Sequence, residues 1–251
     1  VLLGALTTIT RGAPLPLDAN AHTWAWLSLS GLVGFTFGDL CLFRAFVDLG
    51  PRLSTLVMSL APPVAALCGF LFLGERLDAF ALVAMAITLG GVGIAVVSRP
   101  RITTPMPHRA RGLGLAVLGA IGQGVGLVLS KHGMGDYDAF ASTQIRVIAG
   151  TLGFVVVFTF ARTWPRVRAA TRDRVAMRSM TLGAIAGPFL GVSLSLLAVR
   201  HTETGVAAAI MATTPVLLLP FAVLVKKERV PLGGYFGALV AIVGVALLMT
   251  R

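Results

Sequence analysis

The stretch GDLCLFRAFVDLGPRLSTLVMSLAPPVAALCGFLFLGERL (Gly38–Leu77) decides the fold, because its landmarks return later in the chain. Between Gly38 and Val97, nine of sixty residues are identical to the residue 153 positions further on. The identities include a proline inside an apolar run, the Glu-Arg pair that ends this run and a Gly-Val pair in the next run. Gly38, Ala45, Met58, Pro62, Leu71, Glu75, Arg76, Gly91 and Val92 recur as Gly191, Ala198, Met211, Pro215, Leu224, Glu228, Arg229, Gly244 and Val245. The chain is therefore predicted to contain an internal repeat.

The composition excludes a soluble domain. Hydrophobic residues make up 56% of the chain and charged residues only 12%. A helix needs about 20 apolar residues to cross a bilayer, and nine apolar runs are present, the first of them short: 1–10, 24–47, 53–73, 79–98, 112–130, 143–161, 180–199, 206–225 and 232–250. The runs are continuous and do not alternate, which favours helices over a barrel. We expect an all-α polytopic membrane protein.

The runs also predict the domain organisation. Residues 1–98 form the first repeat, 99–111 a polar linker and 112–251 the second repeat. The second repeat has five apolar runs and the first has three and a fraction, so we expect the first to lack its first helix and the start of its second. An odd number of helices per repeat predicts insertion in opposite orientations, which gives an inverted-topology repeat.

The net charge of +11 does not indicate nucleic-acid binding, because the basic residues flank the apolar runs. Counting helices places fourteen of the 21 basic residues on one membrane face, which is then expected to be cytoplasmic. Six of these, Arg162, Arg166, Arg168, Arg172, Arg174 and Arg178, are assigned to one loop. This count leaves the C-terminus outside.

Two stretches resemble the EamA domain of the drug/metabolite transporter superfamily: Gly38–Leu77 and TGVAAAIMATTPVLLLPFAVLVKKERV (Thr204–Val230). Each has a proline within a helix, a terminal Gly/Lys-Glu-Arg and a following glycine-rich helix. The resemblance covers nearly the whole chain, twice. It implies ten helices in two inverted repeats, a central cavity and transport of small metabolites or drugs. It also implies termini inside the cell, in conflict with the charge distribution.

Asp39 is the most informative single residue, because it lies near the middle of a span, where a carboxylate is costly. Arg44 is not on its helical face and is expected to pair with Asp48 at i+4. Asp39 is predicted to bind a proton or a cationic substrate group, with a structural hydrogen bond to another helix as the alternative. Its repeat mate is the apolar Val192, so the site would be asymmetric.

Prolines and polar side chains supply further cavity candidates. Pro62 and Pro215 interrupt equivalent spans, which predicts backbone lining the substrate site, or a kink needed only for packing. Gln123 lies in mid-span and is predicted to bind either the substrate or another helix. The remaining cavity candidates are Ser59, Thr213 and Thr214. Arg146 lies near the start of its span, and we expect its side chain to extend to the interface.

Glycines at helical spacing form a second set: Gly34, Gly38, Gly122, Gly126, Gly183, Gly187 and Gly191. They predict close helix packing, with a hinge between the repeats as the alternative.

No enzyme, metal or nucleotide-hydrolysis motif is present in the sequence, and no cofactor is expected. The predicted function is secondary transport, with export of a small-molecule substrate across the plasma membrane. The expected partners are the substrate and the lipid bilayer, not nucleic acid, and a homodimer is a further prediction. The alternatives are a non-transporting membrane scaffold and an intramembrane lipid-modifying enzyme.

Overall fold

A computed structural model describes residues 2–98, 108–214, 216 and 231–250, and the secondary structure within these ranges is helical. Seven of the described helices are long and apolar enough to cross a membrane. The predicted polytopic all-α class is confirmed. The apolar run 206–225 and the Glu228–Arg229 pair lie largely or wholly outside the described ranges, so the count of nine helices stays a prediction.

The helices are named here in chain order. They are α1 Leu2–Arg11, α2 Ala21–Gly31, α3 Asp39–Leu49, α4 Pro51–Met58, α5 Ala61–Leu73, α6 Ala79–Val97, α7 Arg109–Met134, α8 Ala139–Phe160, α9 Trp164–Arg172, α10 Arg174–Ala184, α11 Val192–His201, α12 Thr204–Met211 and α13 Leu232–Met249. The described residues also include two π-helical segments, π1 at Leu32–Gly38 and π2 at Ile185–Gly191. Each π segment joins two α-helices into one span, Ala21–Leu49 and Arg174–His201.

The helix boundaries repeat with the sequence. The first residues of α2, π1, α3, α4 and α6 each lie 153 positions before the first residues of α10, π2, α11, α12 and α13. The internal repeat is thus a property of the backbone as well as of the sequence.

Local sequence explains many of the helix ends. The side chains of Asn20, Asp78 and Asp138 accept hydrogen bonds from the third backbone N–H beyond them and begin α2, α6 and α8. Gly74 ends α5 with a φ of 66°, a left-handed conformation that glycine adopts without steric cost.

The first compact unit contains Val1–Thr36 and Leu129–His201. Within it α8 packs against α2 and α11. Gly31 of α2 lies so close to the backbone of Arg146 that a Cβ would overlap the carbonyl group there. Small residues therefore set the distance between these two helices.

The second compact unit contains Phe37–Val128 and Thr202–Arg251. Its closest helix pair is α6 and α13, which are repeat mates. Along α6, Thr88, Gly91, Ala95 and Ser98 meet Gly244, Ala241, Gly237 and Gly233 of α13 in that order, so the two helices are antiparallel. The residues equivalent to Gly91 and Thr88 in the second repeat are Gly244 and Ala241. The contact of Gly91 with Ala241 is therefore matched by the contact of Gly244 with Thr88, and the contacts are reciprocal.

One expectation about the basic segment is wrong. Arg162–Arg178 is not a loop, since it contains α9 and the first turns of α10. Trp164 and Pro165 begin α9, where proline is tolerated because the first helical N–H groups have no partner. Arginine is also a good helix former, and the Asp173 carboxylate caps α10 by accepting from the N–H groups of Val175 and Ala176.

Candidate functional site

The two π segments are the clearest distortions of the membrane spans. Each has seven residues, and the two occupy equivalent positions of the repeat. At the end of π2 the N–H of Val192 donates to the carbonyl of Gly187, the i to i−5 bond of a π-helix. Such segments are rare and occur often at functional sites. Asp39 directly follows π1, which places a carboxylate at a distorted turn in the middle of a span.

A second irregularity also occurs at equivalent positions of the two repeats. A two-residue break at Ser59–Leu60 separates α4 from α5, and the equivalent residues Ala212 and Thr213 follow α12. Pro62 lies just beyond the first break and its side chain is fully buried. Pro215, its mate, lies outside the described residues.

The hydroxyl candidates bond their own helices. Ser59 Oγ donates to the carbonyl oxygen of Leu56 at 2.6 Å. Thr213 and Thr214 make the same i−3 bond, at 2.6 Å and 2.7 Å. The carbonyls of Leu56 and Ile210 also accept the backbone N–H of Ser59 and Thr213, so these two hydroxyls add a second hydrogen bond at each break. Their predicted contact with substrate stays a prediction.

Two of the candidates meet each other. Gln123 Nε2 donates to Asp39 Oδ1 at 2.7 Å, which joins α7 to the start of α3. Both side chains are half-buried. The structure thus shows the interhelical hydrogen bond that was the alternative for each residue, and it makes the two residues one unit. A hydrogen bond to a charged group is shorter and stronger than a neutral one.

Glycines of α7 bring this pair close to the broken span. A Cβ on Gly119 would lie 3.3 Å from the carbonyl oxygen of Gly38, one residue before Asp39. A Cβ on Gly124, next to Gln123, would lie 2.8 Å from the carbonyl oxygen of Ala61. Along α7, Gln123 therefore lies between a contact with the end of π1 and a contact with the start of α5. The predicted packing glycines Gly122 and Gly126 are buried on the same helix.

The predicted glycines of the two repeats have different surroundings. Gly34 and Gly38 of π1 are buried, whereas Gly183, Gly187 and Gly191 are exposed. Among the described residues, nothing lies within 4 Å of a Cβ built on Gly183 or Gly187. Their role in packing or as a hinge stays a prediction.

The ion pair expected at the end of α3 is confirmed. Arg44 Nε lies 3.4 Å from Asp48 Oδ1, and Arg111 Nε lies 3.8 Å from the other oxygen of the same carboxylate. The Asp48 side chain is only 3% exposed, so two arginines offset the cost of burying this charge.

The sequence did not identify Arg146 as a buried residue. Its side chain is 4% exposed, and its guanidinium group lies 4.6 Å from the ring centroid of Phe35 in π1. The expectation that this side chain extends to the interface is wrong, because the cation–π contact holds it inside the first unit. The partner is 111 positions away in the sequence, so no local pattern indicates the contact.

The Glu75 carboxylate has a role that the repeat pattern alone did not reveal. Its Oε2 accepts from the N–H of Thr204 at 2.9 Å and its Oε1 from the Thr204 hydroxyl at 2.7 Å. An acidic group is favourable at a helix N-terminus, and Thr204 begins α12. The repeat mate of Thr204 is Pro51, which has neither an N–H nor a hydroxyl.

A polar cluster joins the chain before α2 to the loop before α8. Tyr137 donates to Asp18 Oδ1 at 2.8 Å, Arg11 donates to the Tyr137 hydroxyl at 2.9 Å, and Arg11 also pairs with Asp18. The hydrogen bond from Tyr137 lowers the pKa of Asp18, and burial raises the pKa of Tyr137. In the described part of the chain, no three His, Cys, Asp or Glu side chains are grouped to hold a metal ion.

Comparison with known proteins agrees with the architecture. A solved structure titled "Crystal structure of protein" matches 99% of this chain and 83% of its own, with a TM-score of 0.76 and 17% sequence identity, which is a likeness of fold. No curated protein sequence matches. The model of the EamA-like transporter family matches residues 1–97 and 110–250. With both halves matched and multiple membrane-length helices observed, the chain belongs to the EamA-like transporter family and is a multi-pass membrane protein.

Proposed function

We propose that this protein is a secondary transporter that exports small metabolites, amino acid-like compounds or drugs across the plasma membrane. The observation that carries the proposal is the half-buried Asp39 carboxylate, bonded to Gln123 inside the membrane-spanning region. A charged residue within a span is costly and marks a substrate or ion pathway in most membrane proteins. The chain has no nucleotide-hydrolysis motif, so uphill transport would use an ion gradient or substrate exchange.

The α6–α13 pair supports an inverted-topology repeat. The two helices are repeat mates, and they run in opposite directions. Reciprocal contacts between equivalent residues are the property of a two-fold axis, here one that relates the two repeats. Inverted repeats of this kind are common in transporters, where the site lies near the midplane and distorted helices line it.

The distorted spans support alternating access. Each repeat has a π segment and, about 20 residues after it, a two-residue interruption: Ser59–Leu60 between α4 and α5, and Ala212–Thr213 after α12. The regular i to i−4 hydrogen-bond pattern is interrupted at both places, and such places are where helices bend. One repeat would tilt against the other about these points, while Asp39 and Gln123 hold a proton or a cationic substrate group.

The test is an export assay in cells. Wild type, Asp39→Asn and an empty vector are expressed at matched membrane levels, and extracellular metabolites are compared. We expect at least one compound to accumulate outside cells with wild type, and its accumulation to fall at least tenfold with Asp39→Asn. The matched control is Asp173→Asn, which makes the same chemical change at an exposed helix cap where asparagine also caps well.

The possible results separate three conclusions. A compound lost with Asp39→Asn and kept with Asp173→Asn supports export through the Asp39 site. A compound exported equally by wild type and Asp39→Asn keeps the transporter proposal and rejects the site. If wild type and empty vector have the same metabolite profile, export is rejected, and a membrane scaffold becomes the better explanation.

A further inference from the structure

The basic segment Arg162–Arg178, between α8 and π2, is helical over most of its length and its charge is almost entirely positive. Six arginines lie between Arg162 and Arg178, and Asp173 is the one acidic residue among them, so the segment has a net charge of 6 − 1 = +5. No residue of α9 or α10 is buried. Asp173 Oδ1 is already bonded to the N–H groups of Val175 and Ala176, at 2.9 Å and 3.1 Å. The positive charge is therefore presented outward.

Contacts with the end of α8 fix the depth of this segment relative to the membrane. α8 has 22 residues and is thus about 33 Å long, enough to cross the hydrocarbon layer and end at its edge. Arg162 follows the end of α8 in a left-handed conformation, with a φ of 53°. The indole N–H of Trp164 then donates to Thr159 Oγ1 at 3.1 Å, and its ring packs edge-on against Phe158. α9 consequently begins at the membrane interface, where tryptophan is enriched.

α9 has the two faces of an interfacial helix. Trp164, Val167 and Thr171 lie within about 60° of each other around its axis. Measured from the middle of that face, Arg168 and Arg172 lie about 70° and 110° to one side, and Arg166 lies about 130° to the other. Side chains in these positions can reach phosphate groups while the apolar face enters the acyl boundary.

We propose that Trp164–Arg178 is a docking surface for anionic phospholipid headgroups, here called the lipid-docking segment. Phosphate groups are the complementary partner, because arginine binds them with a fork of N–H donors and the segment is tethered where headgroups lie. Zwitterionic lipids have the same phosphate but a neutral headgroup and bind more weakly. The inference does not depend on what the protein transports.

The test uses the full chain in nanodiscs and Trp164 as the reporter. Trp24→Phe and Trp26→Phe leave Trp164 as the one tryptophan of the chain. We expect brominated phosphatidylglycerol to quench its fluorescence at least twofold more than brominated phosphatidylcholine. Adding Arg166→Gln, Arg168→Gln and Arg172→Gln should remove this preference. The control Arg109→Gln, at the start of α7, should keep it.

A second measurement uses the otherwise wild-type chain, so that the result does not depend on the tryptophan background. Phosphatidylglycerol retained through purification is counted per protein, and it should fall at least threefold in the triple arginine variant but not in Arg109→Gln. Equal quenching by the two brominated lipids would overturn the proposal. Equal retention of phosphatidylglycerol by wild type and a folded triple variant would do the same.

Discussion

π1 and π2 have the same length and the same place in the repeat, yet they have different surroundings. In π1 the Thr36 hydroxyl donates to the carbonyl of Gly150 on α8 at 3.2 Å, and Gly34 and Gly38 are buried. Most of π2 is exposed. Because the distortion occurs in both environments, it follows from the local sequence rather than from packing. A carboxylate follows the π segment in the first copy alone, since Val192 stands in place of Asp39 in the second.

The α6–α13 pair shows the opposite behaviour, since its contacts are the same from either helix. Gly91 packs on Ala241, and Gly244 packs on Thr88, the mate of Ala241. The repeats are therefore symmetric where backbone packs on backbone and asymmetric around the π segments. This combination agrees with the proposed transport mechanism, in which a symmetric frame tilts in two directions and the Asp39 carboxylate binds the substrate.

The largest effect is expected from filling the space beside π1. A Cβ on Gly150 would lie 3.1 Å from two carbons of Phe35, so Gly150→Leu should destabilise the protein by roughly 3 kcal/mol. Gly187→Leu in π2 meets open space and should cost less than about 0.5 kcal/mol. Thermal unfolding in detergent compares the two variants. Equal losses of stability would show that π2 is packed as tightly as π1.

The next effect concerns the residue after each π segment. Asp39→Asn should reduce transport at least tenfold, equivalent to about 1.4 kcal/mol in the transition state, because it removes the charge that Gln123 binds. Val192→Asn should reduce transport less than threefold at matched membrane level. Initial export rates from preloaded vesicles measure both. A larger loss with Val192→Asn would show that the two copies share the chemistry.

A smaller effect on stability is expected at the start of α12, whose equivalent in the first repeat is the start of α4. Glu75→Gln weakens the charge-assisted bonds to Thr204 and should destabilise α12 by about 1 kcal/mol. The mate position Pro51 needs no such acceptor. A double-mutant cycle with Thr204→Val isolates the hydroxyl bond, and we expect the combined loss of stability to be less than the sum. Strict additivity would contradict a direct interaction.

The smallest effect comes from the cluster that precedes α2. The pKa of Asp18 is lower in the folded protein because Tyr137 donates to its carboxylate. The stabilisation is therefore complete above the unfolded pKa of about 4 and is lost as the pH falls through the lower folded pKa. Below pH 4 the melting temperature of wild type should approach that of Asp18→Asn, whereas at pH 6 wild type should melt higher. Parallel melting curves across this range would contradict the assignment.

The sequence identified individual candidate residues of the site, but it did not predict which of them contact each other. Asp39, Gln123 and Pro62 stood out because a carboxylate, an amide and a proline are unusual in apolar runs. That Gln123 would bind Asp39 was not predictable, since 84 positions separate them. The opposite error occurred at Arg146, where proximity to a helix end suggested an interfacial side chain and the tertiary contact with Phe35 buried it.

The sequence by itself determined the membrane environment, the repeat period and the interruption of a span next to Pro62, whereas the π segments were not predicted. The predicted features depend on hydropathy, on glycine and proline, and on capping side chains, all of which act within a few residues. Only the tertiary structure decided which polar groups meet: Asp39 with Gln123, Glu75 with Thr204 and Arg146 with Phe35. Contacts between distant helices depend on how small residues let backbones approach, and that geometry is a property of the assembled helices rather than of any local pattern.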